Sequence, residues 1–129
     1  MAARQLILIV EDDPASRLLA TATLEDDGYE VLDAGSAEEA IPMIERRAPD
    51  LILMDIQLPG MDGLELTRKL KSEAATATIP VVALTAHTMP LHERAAVAAG
   101  CAAFLAKPVS PAILSAEVRA RLENPEASR

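Results

Sequence analysis

The sequence has few aromatic residues, little cysteine and fewer basic than acidic residues, and each shortage excludes a class of protein. One Tyr, one Phe and no Trp do not suit a site that stacks a flat cofactor between rings. The single cysteine, Cys101, cannot form an internal disulfide, and we expect a small buried side chain there rather than a redox sensor. With 12 Lys and Arg against 20 Asp and Glu, the formal charge of −8 argues against a general binder of nucleic acid or anionic membranes.

Long apolar runs and a leader segment are also missing. No run approaches the roughly 20 apolar residues that cross a bilayer as a helix, and no charged-then-apolar segment with a cleavage site opens the chain. We therefore expect a soluble protein of the cytoplasm. The 129 residues, half of them apolar, suffice for one compact domain without metal or disulfide staples. We assign residues 1–124 to this domain and residues 125–129 to a short polar tail.

Short apolar segments of strand length alternate with longer amphipathic segments, and this pattern predicts an α/β fold. The predicted strands are 5–10, 29–34, 50–54, 79–85 and 102–106, and the predicted helices are 14–27, 36–47, 62–73, 90–99 and 110–123. Ser36 and Glu39 form a predicted capping box, Ser110 and Pro111 suit the start of a helix, and Pro42 predicts a kink or an early break. Since several strands are apolar on both faces, a doubly wound parallel sheet covered by helices is expected.

Polar residues follow the predicted strands, and in an open parallel sheet such residues meet at one edge. They comprise a group of carboxylates, one hydroxyl and one ammonium, namely Glu11, Asp12, Asp13, Asp55, Thr85 and Lys107. Neighbouring carboxylates repel one another unless a cation neutralises them, and Mg²⁺ prefers such oxygen ligands. Thr85 and Lys107 can bind phosphoryl oxygens, so Asp55 can act as a nucleophile that forms an acyl phosphate.

Four ordered motifs resemble the receiver domain of two-component response regulators. They are IVEDDP at 9–14, PDLILMDIQLPGMDG at 49–63, PVVALTA at 80–86 and FLAKP at 104–108. The resemblance extends over nearly the whole chain. It includes both single-domain, DivK-like receivers and the receivers of hybrid histidine kinases, so the subfamily stays open. The resemblance implies a flavodoxin-like fold: a five-stranded parallel sheet with strand order 2-1-3-4-5 and five helices on its two faces.

The same resemblance implies the roles of the acidic residues. Asp55 would be the phosphoacceptor. Mg²⁺, with Mn²⁺ as an alternative, would be held by Asp12, by Asp55, by the backbone carbonyl of Gln57 and, through a water, by Glu11. Asp13 would instead start the first helix, and capping is the competing interpretation of Asp12 as well.

The phosphoryl oxygens would be bound by Thr85, Ala86 and Lys107, again by resemblance. Phe104 would change rotamer with Thr85 on phosphorylation, although a plain core residue is the competing interpretation. The family usually has a cis peptide bond at the position of Lys107-Pro108. These residues would therefore hold the phosphoryl group and transmit its presence.

The implied function is a phosphorylatable signalling switch. A histidine kinase or a histidine phosphotransfer protein would donate the phosphoryl group, and Gln57 and His87 would tune the lifetime of the acyl phosphate. The only reactions catalysed would be the domain's own phosphorylation and dephosphorylation. We expect no output domain, so the downstream target would be a protein that binds the face built from the fourth helix, fifth strand and fifth helix.

Other classes of function fit the residues less well. Phosphatases that form an aspartyl phosphate carry an Asp-x-Asp-x-Thr motif after the first strand, whereas Glu11, Asp12 and Asp13 stand there and Asp55 is followed by Gln57 in place of the second acid. A flavodoxin-type electron carrier needs a Ser/Thr-rich phosphate loop, which is absent after the first strand. A module that binds partners without phosphorylation is the remaining alternative, and the complete set of polar positions argues against it.

Overall fold

A computed structural model describes residues 4–86 and 90–123, excepting the side chains of 90–92. The strands are β1 Leu6–Val10, β2 Glu30–Ala34, β3 Leu51–Asp55, β4 Val81–Thr85 and β5 Ala103–Ala106. The helices are α1 Pro14–Asp26, α2 Ala37–Arg46, α3 Gly63–Ser72, α4 Pro90–Ala99 and α5 Pro111–Glu123. Every predicted strand and helix is therefore present, with ends shifted by no more than about two residues, the normal uncertainty of such boundaries. The tail at 125–129 lies outside the described residues.

The five strands form one parallel sheet in the order β2-β1-β3-β4-β5, which confirms the predicted topology. Since all strands run the same way, their carboxyl ends share one edge. Asp55 ends the central strand and pairs with Leu84, while Thr85 pairs with Ala106. The switch in strand order lies between β1 and β3, the place where open α/β sheets bind ligands.

The core lies in two layers, one on each face of the sheet. Alternate residues of β1 and β3 point to opposite faces, as the period of a strand requires. One face packs against α2 and α3 through Ala40, Ile44, Leu66 and Leu70. The other face packs against α1 and α5 through residues that include Leu24 and Val118. Because β1, β3 and β4 are buried along their whole length, the central strands form a rigid base for the edge at which they end.

The helix ends agree with most of the capping signals, with one exception in α2. Asp13 caps α1, since its side chain accepts a hydrogen bond from Ser16 N at 2.9 Å. Of the two alternatives predicted at Pro42, a kink or an early break, the early break is wrong, because α2 continues to Arg46. Pro42 is exposed, whereas Ile44 on the same helix is buried, so core packing outweighs the backbone hydrogen bond that a proline cannot donate. Within residues 4–86 and 90–123, no helix has the length and apolar character to cross a membrane.

Candidate functional site

Three carboxylates converge where β1 and β3 end. Glu11 and Asp12 directly follow β1, and Asp55 is the last residue of β3. Each offers an oxygen atom, and these atoms all lie within 4.8 Å of one another. Glu11 and Asp55 are buried, at 1% and 3% exposure, while Asp12 is exposed. The sheet therefore brings together the acids that the sequence analysis selected, and it leaves one of them open to solvent.

Lys107 places its ammonium between two of these acids. Its Nζ atom lies 2.9 Å from Asp55 Oδ2 and 2.5 Å from Glu11 Oε1. The Lys107 backbone N–H donates to Thr85 O at 2.7 Å, which extends the pairing of β4 with β5 up to the site. Burial lowers the pKa of Lys107, but the hydrogen bonds to Glu11 and Asp55 outweigh burial and raise this pKa above its ordinary value. The ammonium is thus held charged beside Asp55.

The cluster has more negative charge than the Lys107 ammonium can neutralise. Burial, followed by the hydrogen bond to Asp55, raises the pKa of Glu11 to about 7, although Lys107 acts in the opposite direction. Both causes disfavour the charged form of Glu11, so a cation bound beside Glu11 and Asp55 would stabilise this form. The donor set is made of oxygen atoms alone, which is what a hard divalent ion such as Mg²⁺ prefers. The residues present therefore fit a cation of this kind.

Backbone packing around Asp55 is close. Its Oδ1 atom accepts a hydrogen bond from Gln57 N at 2.9 Å, so both carboxylate oxygens have partners. A Cβ at Gly63 would lie 2.3 Å from the Asp55 carbonyl oxygen, a distance that no side chain tolerates. Gly63 is therefore needed so that the start of α3 can pack directly on the end of β3. Gln57 itself is exposed.

The remaining candidate residues lie near this edge in different environments. Thr85 is fully buried at the end of β4, and Ala86 is exposed directly after it. Phe104 is partly buried against Ile56, Ala83 and Ala96. The Lys107-Pro108 peptide bond is cis, as expected. His87 lies outside the described residues.

An apolar groove of about 350 Å³ opens beside the acidic cluster. It runs between α1 and the start of α5, and Glu11 and Lys107 line the end nearest the site. Leu19 of α1 contributes to its wall and is 52% exposed. The cluster therefore has an apolar surface next to it, while Asp12 is exposed to solvent.

Two contacts beside the cluster were not foreseen from the sequence. Arg17 Nη1 donates to the Glu11 carbonyl oxygen at 3.0 Å, and Glu38 Oε2 accepts from Met61 N at 3.1 Å. Arg17 reaches back six residues across the turn between β1 and α1, and Glu38 contacts a residue 23 positions later. The available signal was weak: two glutamates stand at the start of α2, and the predicted capping box uses only Glu39.

Comparison with known families identifies the domain. The family described as the response regulator receiver domain matches residues 7–119. This chain belongs to the receiver domain family. The assignment agrees with the strand order and with the acidic cluster at the carboxyl edge of the sheet.

Two curated proteins are similar to this receiver domain. The polar-differentiation response regulator DivK of Brucella ovis is 41% identical over 104 residues, which cover 81% of this chain and 85% of DivK. The sensor protein GacS of Pseudomonas syringae pv. syringae is 39% identical over 107 residues, which cover 81% of this chain but 12% of GacS. The chain thus matches most of one relative and a small part of the other.

A solved structure of similar shape holds a metal. It is the receiver domain of a sensor histidine kinase from Pseudomonas aeruginosa PAO1, with a magnesium ion coordinated in its active site cleft. The TM-score is 0.87 and the identity is 33%, over 95% of this chain and all of the other. A receiver domain of similar structure thus binds magnesium in its active site cleft.

Proposed function

We propose that this receiver domain is a phosphoacceptor switch in which Asp55 is phosphorylated in the presence of Mg²⁺. The observation that carries the proposal is the position of Lys107 Nζ, 2.9 Å from Asp55 Oδ2, next to the oxygen cluster of Glu11, Asp12 and Asp55. A carboxylate at the carboxyl edge of the sheet, an ammonium beside it and oxygen ligands for a cation are the groups that transfer to an aspartate requires.

The transfer step needs a donor that carries a phosphorylated histidine, either a histidine kinase or a histidine phosphotransfer protein. An oxygen of Asp55 attacks the phosphorus, the phosphorus–nitrogen bond breaks, and its electron pair stays on the imidazole of the donor. The product is an acyl phosphate on Asp55. Mg²⁺, or Mn²⁺ in its place, neutralises charge on the carboxylates and the phosphoryl oxygens when it is bound.

The residues that would hold the metal are Asp12 and Asp55 directly, Gln57 through its backbone carbonyl and Glu11 through a water. This grouping is supported by the distances between one carboxylate oxygen each of Glu11, Asp12 and Asp55, which all lie within 4.8 Å of one another. A bound cation would also favour the charged form of Glu11, whose pKa is raised without it. Metal binding would therefore relieve the crowding of like charges.

Lys107, Thr85 and Ala86 would bind the phosphoryl oxygens. Lys107 Nζ already lies against Asp55 and would exchange a carboxylate contact for a phosphoryl contact. A change at Thr85 would let Phe104 move, since both stand on adjacent paired strands. Such a change shifts an existing equilibrium by the difference between the interactions of the phosphoryl group in the two conformations.

Return to the starting state would occur by hydrolysis. A water molecule attacks the phosphorus, the bond to Asp55 breaks, and inorganic phosphate leaves the restored carboxylate. Gln57, which is exposed, and His87 would flank the path of this water and set the lifetime of the acyl phosphate. The domain would thus catalyse its own phosphorylation and dephosphorylation and no other reaction.

The signal would reach a downstream protein through the face of α4, β5 and α5. Val97 on α4 is 64% exposed, and the nearby Glu93 and Arg94 are exposed as well, so this face offers both apolar and charged contacts. A location in the cytoplasm, where histidine kinases present their phosphorylated histidines, is part of the proposal. Nucleic acid and membranes are not proposed as partners, given the net charge of −8.

Intact-mass measurement after incubation with Mg²⁺ and acetyl phosphate tests the proposal. We expect a labile gain of roughly 80 Da, the mass of one phosphoryl group, in the wild type and not in Asp55→Asn. Asp26→Asn, which removes the same charge at the far end of α1, serves as the matched control and should gain the same mass. An adduct in Asp55→Asn, or none in the wild type, would overturn the proposal.

A further inference from the structure

Two adjacent glutamates at the start of α2 make different contacts. Glu39 serves its own helix: Ser36 Oγ accepts from Glu39 N at 3.1 Å, and Glu39 Oε1 accepts from Gly35 N at 3.2 Å. Glu38 instead accepts from Met61 N, 23 residues away, at 3.1 Å. Only half of the predicted capping box is present, because Glu39 Oε1 accepts from Gly35 N and not from Ser36 N; both bonds stay at the start of α2, and neither involves Glu38.

The Glu38 carboxylate lies on the segment that joins Asp55 to α3. A Cβ at Gly60 would lie 3.0 Å from Glu38 Oε2, so the carboxylate is in close contact with Gly60 as well as with Met61. This segment, 56–62, begins with the hydrogen bond from Gln57 N to Asp55 Oδ1. Glu38 thus acts on the middle of the segment from a separate helix.

Other contacts fix the segment only in part. Leu58 is buried in the core, and Asp62 caps α3 by accepting from Glu65 N at 2.8 Å. Between these two anchors lies Gly60, with φ of +74°, in a conformation that glycine adopts easily and other residues do not. The hydrogen bond from Met61 N to Glu38 restrains the backbone directly after Gly60, the residue with the greatest conformational freedom in this segment.

We propose that Glu38 is a positioning residue for the metal site. By accepting the Met61 N–H it holds segment 56–62 in place, and this keeps the Gln57 carbonyl where it would bind Mg²⁺. The inference rests on the proposed function, in which that carbonyl is a ligand. Mg²⁺ demands near-ideal octahedral geometry, and groups that orient its ligands commonly change its affinity.

The charge of Glu38 and its hydrogen bond make separate predictions. If charge alone mattered, Glu38→Gln and Glu38→Ala would weaken Mg²⁺ binding equally. If the hydrogen bond matters, the glutamine side chain keeps an acceptor oxygen for Met61 N–H, and only the alanine variant loses it. Glu45→Ala removes the same charge from an exposed position later in α2 and is the matched control.

Two measurements on the full chain test the inference. Amide hydrogen exchange by NMR in metal-free protein reports on the Met61 N–H itself. We expect its protection to fall in Glu38→Ala and to persist in Glu38→Gln and Glu45→Ala. Titration calorimetry with Mg²⁺ alone suits a protein without Trp. We expect an affinity about threefold to tenfold weaker in Glu38→Ala, below the roughly 10- to 100-fold that supporting residues usually contribute, because Glu38 is exposed.

The outcomes separate this inference from the function on which it rests. If wild type neither binds Mg²⁺ nor gains a phosphoryl group, the proposed function fails, and the role of Glu38 fails with it. If wild type does both and Glu38→Ala binds Mg²⁺ equally well, only the role of Glu38 is overturned. Equal losses in Glu38→Ala and Glu38→Gln would assign the effect to charge and would also overturn it. Thermal unfolding of each variant establishes that the binding data come from folded protein.

Discussion

The two edges of the sheet differ in how their charged side chains are paired. At the edge where the strands begin, Asp50 and Arg47 each have a partner of their own, whereas at the edge where the strands end Glu11 and Asp55 share the Lys107 ammonium. Before β3, Asp50 Oδ2 accepts from Leu6 N at 2.7 Å. Arg47 meets Glu30 in a two-pronged pair with distances of 2.7 and 2.9 Å. Each of these contacts ties one element to the start of another, so the charges at this edge serve the fold.

The carboxyl edge has a different balance. Glu11 and Asp55 both lie buried beside Lys107, and burial, followed by the hydrogen bond to Asp55, raises the pKa of Glu11 to about 7. This crowding disfavours the folded state in the absence of a cation, and it is what a site for a cation and a phosphoryl group needs. Charges are thus paired at the edge where the strands begin and crowded at the edge where they end. Such a departure from stable pairing is expected at a functional site.

We expect the largest difference between the edges when the phosphorylation rates of lysine variants are compared, with Lys107 replaced at one edge and Lys71 at the other. Lys107→Met removes the ammonium that faces Asp55, and we expect phosphorylation by acetyl phosphate to slow by about 100-fold, the usual loss when a group that stabilises transition-state charge is removed. Lys71→Met removes an ammonium that donates to the carbonyls of Ala77 and Ile79 ahead of β4. It should lower stability and leave the phosphorylation rate of the folded protein within about twofold.

Intact-mass time courses at a temperature where both variants are folded give the comparison. Circular dichroism establishes the folded fraction of each variant beforehand. Equal slowing by the two substitutions would show that loss of stability, and not the position of the ammonium, controls the rate.

A smaller contrast is expected from the aspartates at the two ends of β3. Asp50→Ala leaves the Leu6 N–H without its acceptor and should lower the free energy of unfolding by about 1 kcal/mol. Asp55→Asn keeps an acceptor for Gln57 N and removes both a charge next to Glu11 and the ion pair with Lys107. Since Lys107 keeps its contact with Glu11, this free energy should not fall in metal-free buffer. Urea unfolding followed by circular dichroism at neutral pH measures both.

A loss in Asp55→Asn as large as that in Asp50→Ala would contradict the idea that the carboxyl edge is crowded. The matched comparison uses the same strand, so the background of core packing is common to both variants. The comparison therefore sets the loss of a hydrogen-bond acceptor at one edge against the loss of a charge at the other.

The same two edges differ in how much of their structure the sequence predicts. The strands and helices follow from local periodicity, and once the strands are parallel, residues that end them must share an edge, which is why Asp55 and Lys107 were predicted to meet. The predicted and observed elements agree closely because the apolar runs of β1, β3 and β4 are buried along their whole length, as their sequences predict. The topology itself required the resemblance to a family.

The unpredicted features are hydrogen bonds between helix side chains and the backbone of loops. Glu38 reaches Met61, and Lys71 reaches Ala77 and Ile79, because loops that have no periodic pattern pass within reach of them. The early break at Pro42 was wrong for the opposite reason: a local signal was overridden by packing of the rest of α2 on the core. Tertiary contacts decided each case, and these are what short-range patterns lack.

The contrast with the least bearing on the site concerns Cys101, a partly buried residue just before β5 at the edge where the strands begin. Burial raises the pKa of its thiol to about 11, against an ordinary value of 9.0, although the hydrogen bond with Thr67 acts in the opposite direction. Alkylation by iodoacetamide should therefore be about 100-fold slower at pH 8 in folded than in urea-unfolded protein, since the thiolate is the reactive form and two pKa units change its fraction by that factor. The rate should rise toward pH 11 as the thiol ionises. Equal rates in folded and unfolded protein at pH 8 would mean that the thiol is accessible and ionised in the fold, and that shielding at this edge is incomplete.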